Sequence, residues 1–268
     1  MDAGFEPFLK QWKLVPDGSE IVTDYSHLLP VLRNGEPAML KLTVDASEQV
    51  GAKLMLWWGG EGAASILDHS PEAVVMERAN GNLSLTTLVD EGRDDEATTL
   101  ICSTVIRLHR QGREPPPDLV PLRKWFQDLL EAPADGIMAA SIEAARLLLT
   151  NPREIVPLHG DIHHGNILDF GDRGWLAIDP KGLIGERGFD YANLFFNPNH
   201  PIATRPGRLE TQLSVVIAQA GMERSRLLHW ILAWAGLSAI WSINDGHHHH
   251  VEPTLEVAAI AEALIHCC

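Results

Sequence analysis

Residues 158–193 read LHGDIHHGNILDFGDRGWLAIDPKGLIGERGFDYAN. Within this stretch Asp161 and Asn166 are five apart, and Asp179 follows Asn166 by thirteen. Two short apolar runs, 167–169 and 175–178, flank Gly171-Asp172-Arg173-Gly174. Glycines at both ends of that segment mark a turn, so the stretch reads as a β-hairpin. The turn lies midway between Asn166 and Asp179. Folding back there brings their side chains to neighbouring ends of paired strands. A carboxylate before such a hairpin, with an amide and a second carboxylate at its base, supplies what phosphoryl transfer requires. One carboxylate orients the attacking hydroxyl and accepts its proton, while two oxygen ligands hold Mg²⁺ against nucleotide phosphates. The literal Asp169-Phe170-Gly171 offers a rival metal ligand. It stands only three residues after Asn166, at the hairpin tip, so Asp179 in Ile178-Asp179-Pro180 is preferred.

On the N-terminal side the first ninety or so residues read as a small sheet-rich lobe. Residues 12–25, 28–33 and 37–44 suit strands, and Asn34-Gly35 is a two-residue hairpin signal. Asp45-Ala46-Ser47-Glu48 opens a helix to about Trp58, which Gly59-Gly60 stops. Short strands fit 63–67 and 72–78. From residue 94 the period is helical, with Ala97, Leu100, Ile101, Val105 and Leu108 on one face. Pro115-Pro116-Pro117 breaks the chain. Helices are expected over 119–131, 136–150, near 190, and over 207–220, 224–243 and 253–266, with the strand-rich island 155–179 among them. The architecture expected is α+β. A β-rich lobe over residues 1–80 is followed by a larger, mainly helical lobe over 81–268. The junction falls near Glu77 to Gly81.

Composition limits the function. The net charge of −15 argues against nucleic-acid binding, which needs clustered Lys and Arg. It suits steering of a cationic ligand, although solubility alone also explains an acidic chain. The longest apolar run, Leu227 to Ile243, is interrupted by His229, Gly236 and Ser238. It reads as a buried helix, and no membrane partner is expected. The N-terminus shows no signal-peptide pattern. Three cysteines, Cys102, Cys267 and Cys268, make no disulfide framework and point to a reducing cytoplasm. Oligomeric state is left open, and a monomer is compatible with the residues.

H-G-D-x-H-x-x-N followed by I-D-P resembles the aminoglycoside phosphotransferase and choline-kinase-like superfamily. The longer string, together with LMLWWGGEGAA at 54, VMERA at 75 and LLHWILAWAGLSAIW at 227, resembles the streptomycin 6-phosphotransferases of the aminoglycoside/hydroxyurea antibiotic resistance kinase family. The resemblance spans nearly the whole chain and implies a protein-kinase-like two-lobe fold. It implies that the first lobe binds nucleotide and that the second carries the catalytic loop and the acceptor site. It implies Asp161 as catalytic base, Asn166 and Asp179 as Mg²⁺ ligands, and Lys41 on the nucleotide phosphates. Glu48 would hold Lys41, or complete a capping box with Asp45, or both. Met76, Glu77, Arg78 and Ala79 would form the hinge whose backbone reads adenine. No G-x-G-x-x-G occurs near the start, so the turn at Asp24-Tyr25-Ser26-His27 must cover the phosphates. ATP is the expected donor, and GTP is not excluded. His159 is implied to be structural; a zinc site of His159, His163 and His164 is the rival reading. His247 to His250 read as an exposed loop with adventitious metal affinity as the alternative.

The implied substrate is a cationic aminoglycoside, streptomycin, phosphorylated on the 6-hydroxyl of its streptidine ring and so inactivated as an antibiotic. Its guanidinium groups call for carboxylates, which accept two parallel hydrogen bonds. Glu186, Asp190 and Asp245 are candidates. Asp190 has a competing role, implied by the resemblance, in supporting the catalytic loop. Trp241 and Trp234 could stack on the ligand or simply fill the core. Two alternatives share the residues: a kinase for choline, homoserine or a sugar, and an inactive kinase-like binding protein. The intact set Lys41, Asp161, Asn166 and Asp179 weighs against the second.

Overall fold

The computed structural model describes residues 4–23, 26–42, 46–110 and 116–266. Asp24, Tyr25, Asp45, Cys267 and Cys268, which entered the expectations above, lie outside these residues. Helix α1 (Glu6–Gln11) precedes strands β1 (Leu14–Pro16), β2 (Ile21–Val22), β3 (His27–Arg33) and β4 (Glu36–Leu42). Helix α2 (Ala46–Trp58) separates these from β5 (Ile66–His69) and β6 (Ala73–Glu77). The strands form one antiparallel sheet in the order β1-β3-β4-β6-β5, with β2 on the side of β3. Asn34 and Gly35, at φ +53° and +88°, make the tight turn between β3 and β4. Both central residues have positive φ, the pattern that matches strand twist in a two-residue hairpin.

Alternation along β4 separates two faces. Ala38, Leu40 and Leu42 join Val31, Val75 and Phe5 in one small core. Met39 on the other face packs into the main cluster, which includes Val74 and Met76 of β6 and Leu54, Met55 and Trp58 of α2. Lys41 is in step with Met39, so it too faces α2. That main cluster continues without a break into Leu85, Leu88, Ile101, Leu176 and Tyr191. The sheet ends at Glu77, and the main apolar cluster extends past it into the second half of the chain.

The second half begins with α3 (Leu85–Asp90) and α4 (Asp94–Leu108), followed by β7 (Val120–Pro121), α5 (Leu122–Trp125), α6 (Gln127–Leu130) and α7 (Gly136–Thr150). The single helix expected over 119–131 is thus a two-residue strand and two helical turns. Pro121 is extended (ψ 140°), and Phe126 at ψ 6° bends the chain between the turns. Strand β8 (Ile155–Leu158) leads to the loop that carries Asp161 and Asn166. The hairpin follows as β9 (Ile167–Asp169) and β10 (Trp175–Ala177), and its tip is a 3₁₀ turn at Gly171–Arg173. Strand β11 (Leu183–Glu186) was not expected; it pairs with β7 and β8 in a three-stranded sheet. Gly182 and Gly185, which flank and interrupt its apolar residues, hide it from pattern reading. Helices α8 (Phe189–Ala192), α9 (His200–Ala203), α10 (Arg208–Ala220), α11 (Arg224–Asn244) and α12 (Val251–His266) complete the chain. Helix α11 is long and apolar enough to cross a membrane, but 67% of its most apolar window is buried among its neighbours. It is the central helix of the second core, against α7 and the aromatic cluster Phe126, Phe189 and Trp230.

Candidate active site

The loop between β8 and β9 is held from beneath. Asp190, from the first turn of α8, has no exposed side-chain surface. Its Oδ2 accepts from His159 N at 2.9 Å and its Oδ1 from Gly160 N at 2.7 Å, with His109 Nε2 2.8 Å from Oδ2. His159 is fully buried, and burial lowers its pKa, which keeps the ring neutral. Its Nε2 lies 2.8 Å from Ile178 O, while Asp161 N donates to Nδ1 at 3.2 Å. These partners assign the proton to Nε2. His159 therefore ties the loop to the strand end that carries Asp179.

Asp161 is presented above this support. Its Oδ1 accepts from Asn193 Nδ2 at 3.0 Å, and Asn193 Oδ1 in turn accepts from Trp234 Nε1 at 3.1 Å. The backbone carbonyl of Asp161 accepts from Asn166 Nδ2 at 2.9 Å, which leaves the amide oxygen of Asn166 for a cation. Ile178 N donates to Asn166 O at 2.9 Å, so the hairpin brings Asn166 and Asp179 together as their spacing implies. Asp179 has φ +61°, a left-handed conformation that a short polar residue tolerates. Its Oδ1 is 2.5 Å from Lys41 Nζ, and Lys41 is 3.2 Å from Glu48 Oε1. Ser26 Oγ donates to the same Glu48 oxygen at 3.1 Å. Burial alone would raise the pKa of Asp179. Lys41 and Lys181 more than offset it and hold the carboxyl below its ordinary value.

These groups border a cavity of about 250 Å³. Leu28, Met55, Ile66, Val74, Met76 and Ile178 give it apolar walls, and Lys41, Glu48, Asn166 and Asp179 give it a polar part. With a cation held by Asn166 and Asp179 beside Lys41, that division would suit a flat heterocycle bearing a polyanionic tail. Beyond Met76, the hinge side chains turn to other elements. Glu77 Oε1 accepts from Ser65 N at 2.5 Å and also pairs with Arg173. Arg78 donates to Asp17 Oδ2 at 2.6 Å. Arg173, from the hairpin tip, further donates to Gly60 O at 2.6 Å and Ser65 Oγ at 3.1 Å. Asp169 is likewise spent on structure: its carboxylate accepts from Gly171 N at 2.9 Å and Leu83 N at 3.2 Å.

The carboxylates proposed for the acceptor fare differently. Glu186 is 3% exposed, and it accepts from Arg226 Nε at 2.5 Å, Trp230 Nε1 at 2.9 Å and Arg153 N at 2.8 Å. It is a structural ion-pair centre rather than a substrate ligand, because it is nearly buried and both carboxylate oxygens are engaged by the protein's own donors. Asp190 is corrected in the same way, toward the supporting role. Asp245 is exposed at the C-terminal end of α11. Trp241 packs edge-on against Trp125 and Trp234 and donates to Asp128 Oδ2 at 3.2 Å. Trp234 is nearly buried and reaches the site only through Asn193. Two residues of the site were not singled out from the sequence. Asn193 closes the quoted string, yet its role depends on the turn of α8. Lys181 places Nζ 3.5 Å from Asp161 Oδ2 and 3.9 Å from Asp179 Oδ2. Among the described residues no group of three or more His, Cys, Asp or Glu is placed to hold a metal, which leaves the zinc reading without a site.

A β-rich lobe over a helical one, with a loop carboxylate, a hairpin-borne amide and carboxylate, and a strand lysine around one cavity, defines a kinase-like phosphotransferase. The sequence pattern of the aminoglycoside/hydroxyurea antibiotic resistance kinases matches residues 11–246, and the chain belongs to that family. It is 48% identical over 261 residues to a streptomycin 3''-kinase of Klebsiella pneumoniae, covering 95% of this chain and 98% of the relative. It is 31% identical over 254 residues to a streptomycin 6-kinase of Streptomyces griseus, covering 88% and 81%. In fold it is similar to a thermostable mutant of aminoglycoside phosphotransferase APH(4)-Ia crystallised with ADP and hygromycin B. That match has a TM-score of 0.70 at 13% identity, over 97% of this chain and 98% of the other.

Proposed function

We propose that this kinase transfers the γ-phosphoryl group of ATP to a hydroxyl of streptomycin in the cytoplasm, and so confers resistance. The observation that carries the reaction type is the convergence of Asp161, Asn166 and Asp179 beside a cavity that also holds Lys41. In this reading Asp161 orients the acceptor hydroxyl and takes its proton, and Lys41 engages the nucleotide phosphates. The backbone of Met76 to Ala79 contacts the base. The amide oxygen of Asn166 and the carboxylate of Asp179 fit Mg²⁺, which accepts few protein ligands and completes its shell with phosphates and water. When bound, it would neutralise charge on the β- and γ-phosphates. Residues 1–80 supply the nucleotide side of the cleft and residues 81–268 the acceptor side.

Streptomycin is favoured because the relatives at 48% and 31% identity are both streptomycin kinases. The position on the drug follows the greater identity. The 3''-hydroxyl is the preferred acceptor, ahead of the streptidine 6-hydroxyl that the motif strings alone suggested. The test is release of ADP with streptomycin as acceptor, followed by mass and ³¹P spectra that place the phosphate. Phosphate on the amino sugar supports the 3'' reading, and phosphate on streptidine replaces it with the 6 reading. No turnover of streptomycin, with turnover of choline, homoserine or a sugar, would sink the substrate assignment. Asp161→Ala should abolish turnover and retain nucleotide affinity.

A further inference from the structure

Lys181 stands in the gap between the base and the metal-binding aspartate. Its backbone is fixed, since Lys181 N donates to His159 O at 2.7 Å. From there its side chain reaches back over the loop, with Nζ within 4 Å of both Asp161 Oδ2 and Asp179 Oδ2. A phosphoryl group passing from nucleotide to acceptor must cross that gap, because Asp161 holds the acceptor and Asp179 faces the phosphates in the function proposed above. The passing group carries its charge on three equatorial oxygens, and catalysis of this step consists mainly of placing cations around them. Lys41 is engaged by Asp179 and Glu48, on the nucleotide side. His163, with Nε2 4.0 Å from Asp161 Oδ1, has its pKa lowered by burial and makes a poor cation.

We propose that Lys181 is a catalytic residue: its ammonium group leaves the two aspartates and binds the transferring phosphoryl group. The reaction stays balanced without further reactants. The acceptor oxygen bonds to the γ-phosphorus, the bond to the β-γ bridging oxygen breaks, the hydroxyl proton goes to Asp161, and Lys181 stays protonated throughout.

This assignment rests on the kinase reading, and its test separates the two. Wild type, Lys181→Ala and Lys181→Arg are compared in turnover of streptomycin and, by calorimetry, in affinity for Mg·ADP with and without aluminium fluoride, which mimics the planar phosphoryl group. The expected result for Lys181→Ala is a kcat lowered about 100-fold or more, with KM for ATP and Mg·ADP affinity within about 3-fold of wild type. The affinity gained by adding aluminium fluoride should shrink at least tenfold, and Lys181→Arg should recover part of both. An aluminium fluoride gain equal to wild type in Lys181→Ala, or a parallel loss of Mg·ADP affinity, overturns the role of Lys181. The calorimetric arm needs no acceptor, so it decides the point even if streptomycin proves not to be the substrate.

Discussion

The carboxylate of Asp161 is aimed by a neighbour that turns no reaction itself. Asn193 donates to Asp161 while its own amide oxygen accepts from Trp234 Nε1 at 3.1 Å and Asn197 Nδ2 at 3.2 Å, so two donors fix the orientation of the amide. Losing Asn193 removes one of the contacts that hold the proposed base, away from the cavity lined by Lys41 and Asp179. Asn193→Ala should therefore lower kcat by about 10² while Mg·ADP affinity, measured by calorimetry, stays at the wild-type level. Equal losses in both would show instead that the loop had collapsed. At this scale the sequence was readable where spacing carries the chemistry. Asp161, Asn166 and Asp179 lie on one loop and its hairpin, so their separation along the chain already implies their meeting. Asn193 and Lys181 act through reach across the fold, and an amide or a lysine near a motif carries no mark of where it will point. Glu186 and Asp190 misled for the complementary reason. A carboxylate beside an active-site string looks like a ligand until burial is known, and their partners Arg226 and His109 lie 40 and 81 residues away.

Two elements meet at a contact that only glycine permits. A Cβ on Gly51 of α2 would come within 2.0 Å of Pro180 O, so the helix bearing Glu48 lies directly on the segment bearing Asp179. This closeness is what lets Lys41 touch Glu48 and Asp179 at once. Gly51→Ala should push α2 away, cost about 1–3 kcal/mol of stability and lower turnover. Thermal denaturation and steady-state kinetics check both effects, and unchanged kinetics would refute the coupling. The core contact beneath β11 has a different character. Glu186 is the buried member of its pair with half-buried Arg226, so Glu186→Ala leaves Nε1 of the buried Trp230 and the backbone N of Arg153 without their acceptor. It should cost about 1–3 kcal/mol in urea denaturation, with KM for streptomycin little changed in protein that remains folded. The long periodic helices and the Asn34-Gly35 hairpin were readable because each is specified by local pattern. Helices α1 and α3, strand β11 and the broken segment 119–131 were not. They are short, and their conformation is set by the surfaces on which they pack.

The whole molecule carries a net charge of −15, and its proposed acceptor is a cation. Long-range attraction should then contribute to capture. It predicts that kcat/KM for streptomycin falls severalfold between 10 mM and 300 mM salt as screening shortens its range, while kcat changes little. A flat salt profile would assign the acidic surface to solubility alone. The general architecture was legible from the shift between a sheet-forming and a helix-forming half. The continuous core across residue 80 was not, since it joins apolar faces distant in sequence. The same union of halves restricts how they can part. Arg173 grips Gly60, Ser65 and Glu77 on the β5–β6 flank, whereas Thr23 and Ser26 line the cavity beside β2 and β3, across β4 from that grip. That grip fixes the β5–β6 flank to the hairpin, so the mouth of the cavity lies on the side of Thr23 and Ser26, where a ligand would enter and leave without Arg173 having to let go.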